Sequence, residues 1–286
     1  MTCPLGFGVP ALRRVCTPRW AFRSLPALLI VALASPALAQ EPPSAGLRAP
    51  PKSFALPMEV EHDFGATNGD ATFFRFLPLW SLPLSESWRL INLDLITLAD
   101  APGGVPGGPV NPNPTPGERA FGLSDLLHAS FFTPEEQGRF IWGAGLALSI
   151  PTATADVLGS GKWAAGPAVR LTYRSGPWNL GAVASQRWSF AGDDSRPDLN
   201  ALLIRGTIRF QLPGPWYLVS SPVITANWNA PSSERWVVPI GGGPGLTFDV
   251  GAHRWATSLQ AYYNAIRPDG APDWALRLQL IAAIPN

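Results

Sequence analysis

The chain is poor in the groups on which redox and metal chemistry rest. It has two cysteines, Cys3 and Cys16, and both precede residue 40. A chain cleaved there carries no thiol, which excludes disulfides, zinc–thiolate sites and cysteine nucleophiles. Only three histidines occur, His62, His128 and His253, at separations that match no metal-ligand spacing. No metal and no cofactor is therefore expected. Charged residues are scarce at 14%, and beyond the first forty residues no apolar run reaches the roughly eighteen needed for a helical membrane span. A basic excess is missing as well. The first 39 residues hold four of the 21 Lys and Arg and none of the 20 Asp and Glu, so their removal leaves a net charge of −3. Nucleic acid is excluded as a partner on those grounds.

What is present starts with an export signal. Arg13, Arg14, Arg19 and Arg23 form a basic region, an apolar stretch follows over 25–33, and Ala37-Leu38-Ala39 is a small-x-small cleavage site. The expected domains are a signal peptide at 1–39, a Pro-rich periplasmic tail at 40–53 and a folded body at 54–286. Export by this route places the mature chain outside the cytoplasm.

Beyond residue 54 the apolar residues recur every second position rather than every 3.6. Leu202, Ile204, Ile208, Phe210 and Leu212 share one face of a strand, and Arg205, Thr207, Arg209 and Gln211 share the other. The same alternation runs over 139–150 and 274–284. It predicts about twelve strands, near 54–66, 71–82, 87–98, 120–132, 139–151, 163–174, 178–190, 200–212, 216–228, 236–249, 253–266 and 274–284. Short connections (83–86, 133–138, 175–177, 213–215, 251–252) alternate with longer ones (99–119, 152–162, 191–198, 229–235, 267–273). This is the periplasmic-turn and outer-loop pattern of an all-β, transmembrane, antiparallel up-and-down barrel. The hairpin through Asn68-Gly69 is the exception, short although it faces outward. Trp88, Trp178, Trp216 and Trp255 begin strands leaving the short turns, and Trp163, Trp236 and Trp274 begin strands leaving the long loops. Two aromatic girdles in contact with outer-membrane lipid are expected.

If the apolar parity meets lipid, the other lines the lumen. The candidates are Glu59, Glu61, Asp63, Arg75, Asn92, Asp94, Arg139, Arg170, Arg174, Arg187, Arg205, Arg209, Arg254, Gln260, Asn264 and Arg277. Such charges either select small solutes through a transverse field or pair with one another and fill the bore. Gly241, Gly243 and Gly245 fall on the same parity and allow strand curvature. Enzyme motifs fail. Gly159-Ser160-Gly161-Lys162 suggests a phosphate loop, but Asp156 stands in place of its first Gly and Trp163 follows the Lys. A lipase of the outer-membrane kind, which carries Ser and His on the outer wall, needs a Ser, a His and a polar orienting group at one membrane depth. None is visible in the sequence, so no enzyme is expected, and a lipase stands only as the less favoured alternative.

Pro151-Thr152-Ala153-Thr154, the run 158–163, the run 188–192, Ser220-Ser221-Pro222, the run 236–243, Gln260-Ala261-Tyr262-Tyr263-Asn264, Arg267-Pro268-Asp269-Gly270 and Trp274 together resemble a family of Gram-negative outer-membrane barrels. That family is labelled as transporters, is often mislabelled neuromedin U, and is similar to barrels of the meta-pathway of phenol degradation. The resemblance spans about residues 120–284 and implies transport of a small solute, with no catalytic residues to carry over. A plugged barrel whose outer loops, 99–119 and the one through Asp193-Asp194, bind a partner is the competing expectation.

Overall fold

The computed structural model describes residues 53–285 apart from 136, 137 and 252. The signal peptide and the tail up to residue 52 lie outside the described residues.

Fifteen strands run in chain order: β1 (Ser53–Phe64), β2 (Ala71–Phe76), β3 (Leu79–Pro83), β4 (Trp88–Ala101), β5 (Ala120–Leu123), β6 (Leu126–Pro134), β7 (Phe140–Ile150), β8 (Lys162–Ser175), β9 (Trp178–Gly192), β10 (Asn200–Gln211), β11 (Trp216–Ser220), β12 (Val223–Asn227), β13 (Trp236–Val250), β14 (His253–Ile266) and β15 (Trp274–Pro285). β2 with β3, β5 with β6, and β11 with β12 are interrupted halves of single staves, so the sheet has twelve staves. All pairings are antiparallel, and β1 joins β15 from Ser53↔Pro285 to Phe64↔Trp274, which closes the barrel. Closure leaves the sheet without a free edge strand, as hydrocarbon demands.

Each interruption has a local cause. Pro78 and Pro222 supply no N–H to the ladder where β2/β3 and β11/β12 break. Between β5 and β6 the cause is Asp125, fully buried, whose carboxylate accepts hydrogen bonds from the backbone N–H and the hydroxyl of Ser160 at 2.7 Å and from Ala153 N–H at 3.2 Å. The apparent phosphate loop around Ser160 is therefore a wrapping for Asp125.

The alternation sorts the chain into two surfaces. Leu146 is 67% exposed on the exterior wall, and Phe190, Ile240 and Leu278 are exposed with it. Apolar exposure on that scale is stable only against lipid. All seven girdle tryptophans point outward: Trp88, Trp163, Trp178, Trp216 and Trp274 are exposed, Trp255 is half-buried, and Trp236 packs edge-on against Trp228 with ring centroids 5.4 Å apart. The interior holds the buried polar residues together with a second set of apolar ones. Leu95, Leu127, Phe131 and Ala147 form an inner cluster with Val110, which belongs to the loop 102–119. That loop, expected at the surface, folds into the bore.

Candidate functional site

The centre of the bore is crossed by charge. Glu59 and Glu61 on β1 point inward, beside Arg75 on β2 and Arg277 and Gln279 on β15. Arg75 Nη1 donates to Glu61 Oε1 and Arg277 Nε donates to Glu61 Oε2, each at 2.6 Å, while Gln279 Nε2 donates to Glu59 Oε1 at 2.7 Å. Arg205 forms an ion pair with Glu59. It sits on β10, the eighth of the twelve staves, so this contact spans the lumen instead of joining neighbouring strands. Arg277 also donates to the Ser221 carbonyl at 2.6 Å, where the outer wall has lost its pairing. Buried charges persist only when so many of their donors and acceptors are met.

Two cavities flank this crossbar and both touch Arg205. The upper one, about 200 Å³, is lined mainly by apolar groups, among them Ala71, Phe73, Leu93, Leu95, Leu127, Val183 and Leu203, with Asp63 and Asn264 at its edge. The inward loop covers it. Thr225 Oγ1 donates to the Gly107 carbonyl at 3.0 Å, Arg187 Nη2 to the Pro109 carbonyl at 3.1 Å, and Asn227 Nδ2 to Asn113 Oδ1 at 2.9 Å. The lower cavity, about 90 Å³, lies between Leu79, Thr207, Arg209, Tyr217 and Ile281. Arg209 lies 3.6 Å above the Tyr217 ring centroid, and Gly245 makes room for that ring, since a Cβ there would stand 2.2 Å from it.

The upper cavity also reaches the wall. β12 pairs with β13 only at Thr225↔Val237 and Ala226↔Trp236, and β11 resumes at Val219↔Gly243. Among the described residues no backbone pairing joins the two staves in between, where Pro222 and Pro239 stand. Ser221 N–H turns inward to the Tyr262 hydroxyl at 2.5 Å instead. Val223, Val237 and Pro239 border the cavity at this gap.

Of the residues expected in the lumen, Glu59, Glu61, Asp63, Arg75, Arg170, Arg187, Arg205, Arg209, Gln260, Asn264 and Arg277 have the inward parity and lie inside the barrel. Three lie at the short-turn end of the barrel. Arg139 is exposed in the turn before β7, Arg174 is half-buried at the end of β8, and Arg254 pairs with Asp249 at 2.9 Å on the β13–β14 hairpin. Asn92 and Asp94, both expected in the lumen, are not there. On β4 the inward residues are Ile91, Leu93, Leu95, Thr97 and Ala99, so Asp94 and its neighbour Asn92 face the lipid. β4 is apolar on both faces because the loop beside it makes part of the lumen apolar, and polarity no longer marks the inside. Gln279 lies inside on the parity of Arg277, and Tyr262 joins them on the parity of Gln260, an aromatic side chain that polar alternation does not mark.

The arrangement is that of a transmembrane barrel of twelve staves with a loop-covered, charge-crossed bore. No protein-family model matches the chain, and no curated protein matches it in sequence. Among solved structures it is similar to the COG4313 outer membrane channel from Pseudomonas putida F1, with a TM-score of 0.60 over 86% of this chain and 100% of that one at 12% identity. Looser likenesses include the toluene transporter TodX of P. putida, TM-score 0.37 over 82% of this chain and 89% of that one at 11% identity, and Salmonella typhi OmpF in complex with daunomycin, TM-score 0.38 over 81% and 96% at 10% identity. The first of these likenesses establishes the fold.

Proposed function

We propose that the chain is an outer-membrane channel of a Gram-negative bacterium for small solutes that combine an apolar or aromatic body with a polar group. The observation that carries this reading is the apolar upper cavity resting on the Glu59–Arg205 crossbar. An apolar body gains from leaving water for such a cavity, and a polar group finds hydrogen-bonding partners in the charged layer below it. The broken ladder between β12 and β13 gives the same cavity a border with the bilayer, which favours solutes with an apolar part. In the conformation described, the crossbar and the inward loop together obstruct the bore, so transport requires that one of them move.

The same crossbar is the specific support for the competing reading, a barrel permanently plugged. Planar-bilayer recording separates the two. The channel reading expects brief stepwise currents from the mature protein, and a several-fold rise in their duration or size in Glu59→Gln. Silence in both proteins across all voltages would leave the plugged barrel.

A further inference from the structure

Four polar side chains sit together on the lipid-facing wall, where each is costly unless satisfied. β4 and β6 are adjacent and antiparallel, and their register sets Asn92 opposite Ser130 and Asp94 opposite His128. Directly opposed residues share a face. That face is the exterior, because Phe132 on the same side of β6 is 54% exposed and Leu146, paired to Ser130 from β7, is more exposed still.

Their atoms are ordered. His128 Nδ1 lies 2.7 Å from Asp94 Oδ1, and His128 Nε2 lies 2.8 Å from Ser130 Oγ. The imidazole and the carboxylate remain accessible, at 30% and 21% of their side-chain surface. A cluster that merely satisfies itself in hydrocarbon needs no particular sequence of contacts. This one runs carboxylate, Nδ1, Nε2, hydroxyl, the order in which an acid orients a base and the base activates a nucleophile. Asn92 completes it. Its amide oxygen accepts from Ser130 Oγ at 2.6 Å, while its Nδ2 is buried and has no partner. Turning the amide over, a change of almost no shape, sets Nδ2 as donor to Oγ and releases the hydroxyl hydrogen to His128 Nε2.

We propose that Ser130, His128 and Asp94 are a nucleophilic acyl-transfer site on the outer wall of the barrel, acting on uncharged esters dissolved in the bilayer. Ser130 stands four residues above Pro134, which pairs with Trp88 of the periplasmic girdle. At about 3.3 Å per residue and a tilt near 40° this puts Oγ about 10 Å inside the hydrocarbon. Esters without a charged head group reach that depth. In the reaction Oγ bonds to the ester carbonyl carbon as its proton passes to Nε2. The carbon–oxygen bond to the alcohol then breaks, and the leaving oxygen takes that proton. Water, the second substrate, attacks the acyl-serine and gives its proton to Nε2. Oγ recovers the proton as the carboxylic acid departs.

The test is labelling of the mature protein in phosphatidylcholine vesicles with a long-chain alkyl fluorophosphonate, read by peptide mass spectrometry. A heat-sensitive gel shift confirms that each variant is a folded barrel. The expected result is one adduct, on Ser130, absent in Ser130→Ala and slowed about 1000-fold in His128→Gln. Release of acid from a vesicle-dissolved p-nitrophenyl ester should follow the same ranking, and release from phosphatidylcholine itself should not exceed the protein-free rate. Failure of the folded wild-type chain to form an adduct at Ser130 overturns the proposal without any variant. So does an adduct whose rate ignores both His128→Gln and Asp94→Asn, because it would show an unactivated hydroxyl.

Discussion

The barrel has two polar clusters, one on each side of its wall. Inside, Glu59 and Glu61 pair with Arg75, Arg205 and Arg277, two acids against three bases, with Arg205 reaching in from across the bore. Outside, Asn92, Asp94, His128 and Ser130 come from two neighbouring strands and hold a single carboxylate. Both solve the problem of polar groups away from bulk water. The inner cluster does so by ion pairs between residues distant in sequence, so losing one member strands another charge. The outer one does so by a chain of short hydrogen bonds fixed by strand register, so it contributes little to holding the barrel together. The first kind is structural whatever else it does, and the second is dispensable to the fold.

The largest effect expected from this contrast is at Arg277. Its replacement by Met removes the second partner of Glu61 and the donor to the Ser221 carbonyl, and should cost about 3–5 kcal/mol in urea unfolding of the barrel in vesicles. A loss below about 1 kcal/mol would mean that water fills the inner cluster and that the contrast is overstated. The crossbar can be sharpened next. A double-mutant cycle of Glu59→Gln with Arg205→Gln should return a coupling of about 0.5–3 kcal/mol, and additivity of the two changes would show that the pair does not bridge the bore in the membrane. Outside, the combined change Asp94→Leu, His128→Leu and Ser130→Ala should leave the barrel as stable or make it more stable by about 1–2 kcal/mol. Destabilisation there would make the outer cluster as structural as the inner one.

How much of this could be read from residues alone depended on contrast between the faces. Over 204–211 of β10 and 276–280 of β15 apolar and polar positions alternate, and that alternation puts Arg205, Arg209 and Arg277 inside. Loop lengths and the indole positions added orientation and a closed sheet, because a bilayer leaves few other ways to satisfy backbone groups. On β4 the contrast vanishes. Leu90, Ile91, Leu93, Leu95, Ile96 and Leu98 occupy both parities, so polarity alone assigns Asn92 and Asp94 to the wrong side. The reason lies 15 residues further along, in Val110, whose loop looks like any solvent-exposed Gly- and Pro-rich segment until it is seen packed on Leu95 and Leu127. The outer cluster was hidden for a related reason. Asp94 and Ser130 are 36 residues apart, and only the register of β4 on β6 brings them together.

That loop provides the smallest of the tests, and it asks whether the apolar half of the bore is built from the wall alone or depends on its cover. Thr225→Val keeps the shape of the side chain and removes the donor to the Gly107 carbonyl, one of the bonds holding the loop in the bore. The barrel should lose about 1 kcal/mol or less, since the freed carbonyl sits beside a cavity that can admit water. Hydrogen exchange should nevertheless rise over 102–119, with little change in β4 or β6, because the wall closes without the loop. Current through a planar bilayer should then show longer open intervals than the wild type but not the larger steps expected of Glu59→Gln, since the crossbar remains in place. If exchange also rises in β4, the loop is part of the wall that it leans on, and the upper cavity cannot open without loosening the strand that carries Asp94.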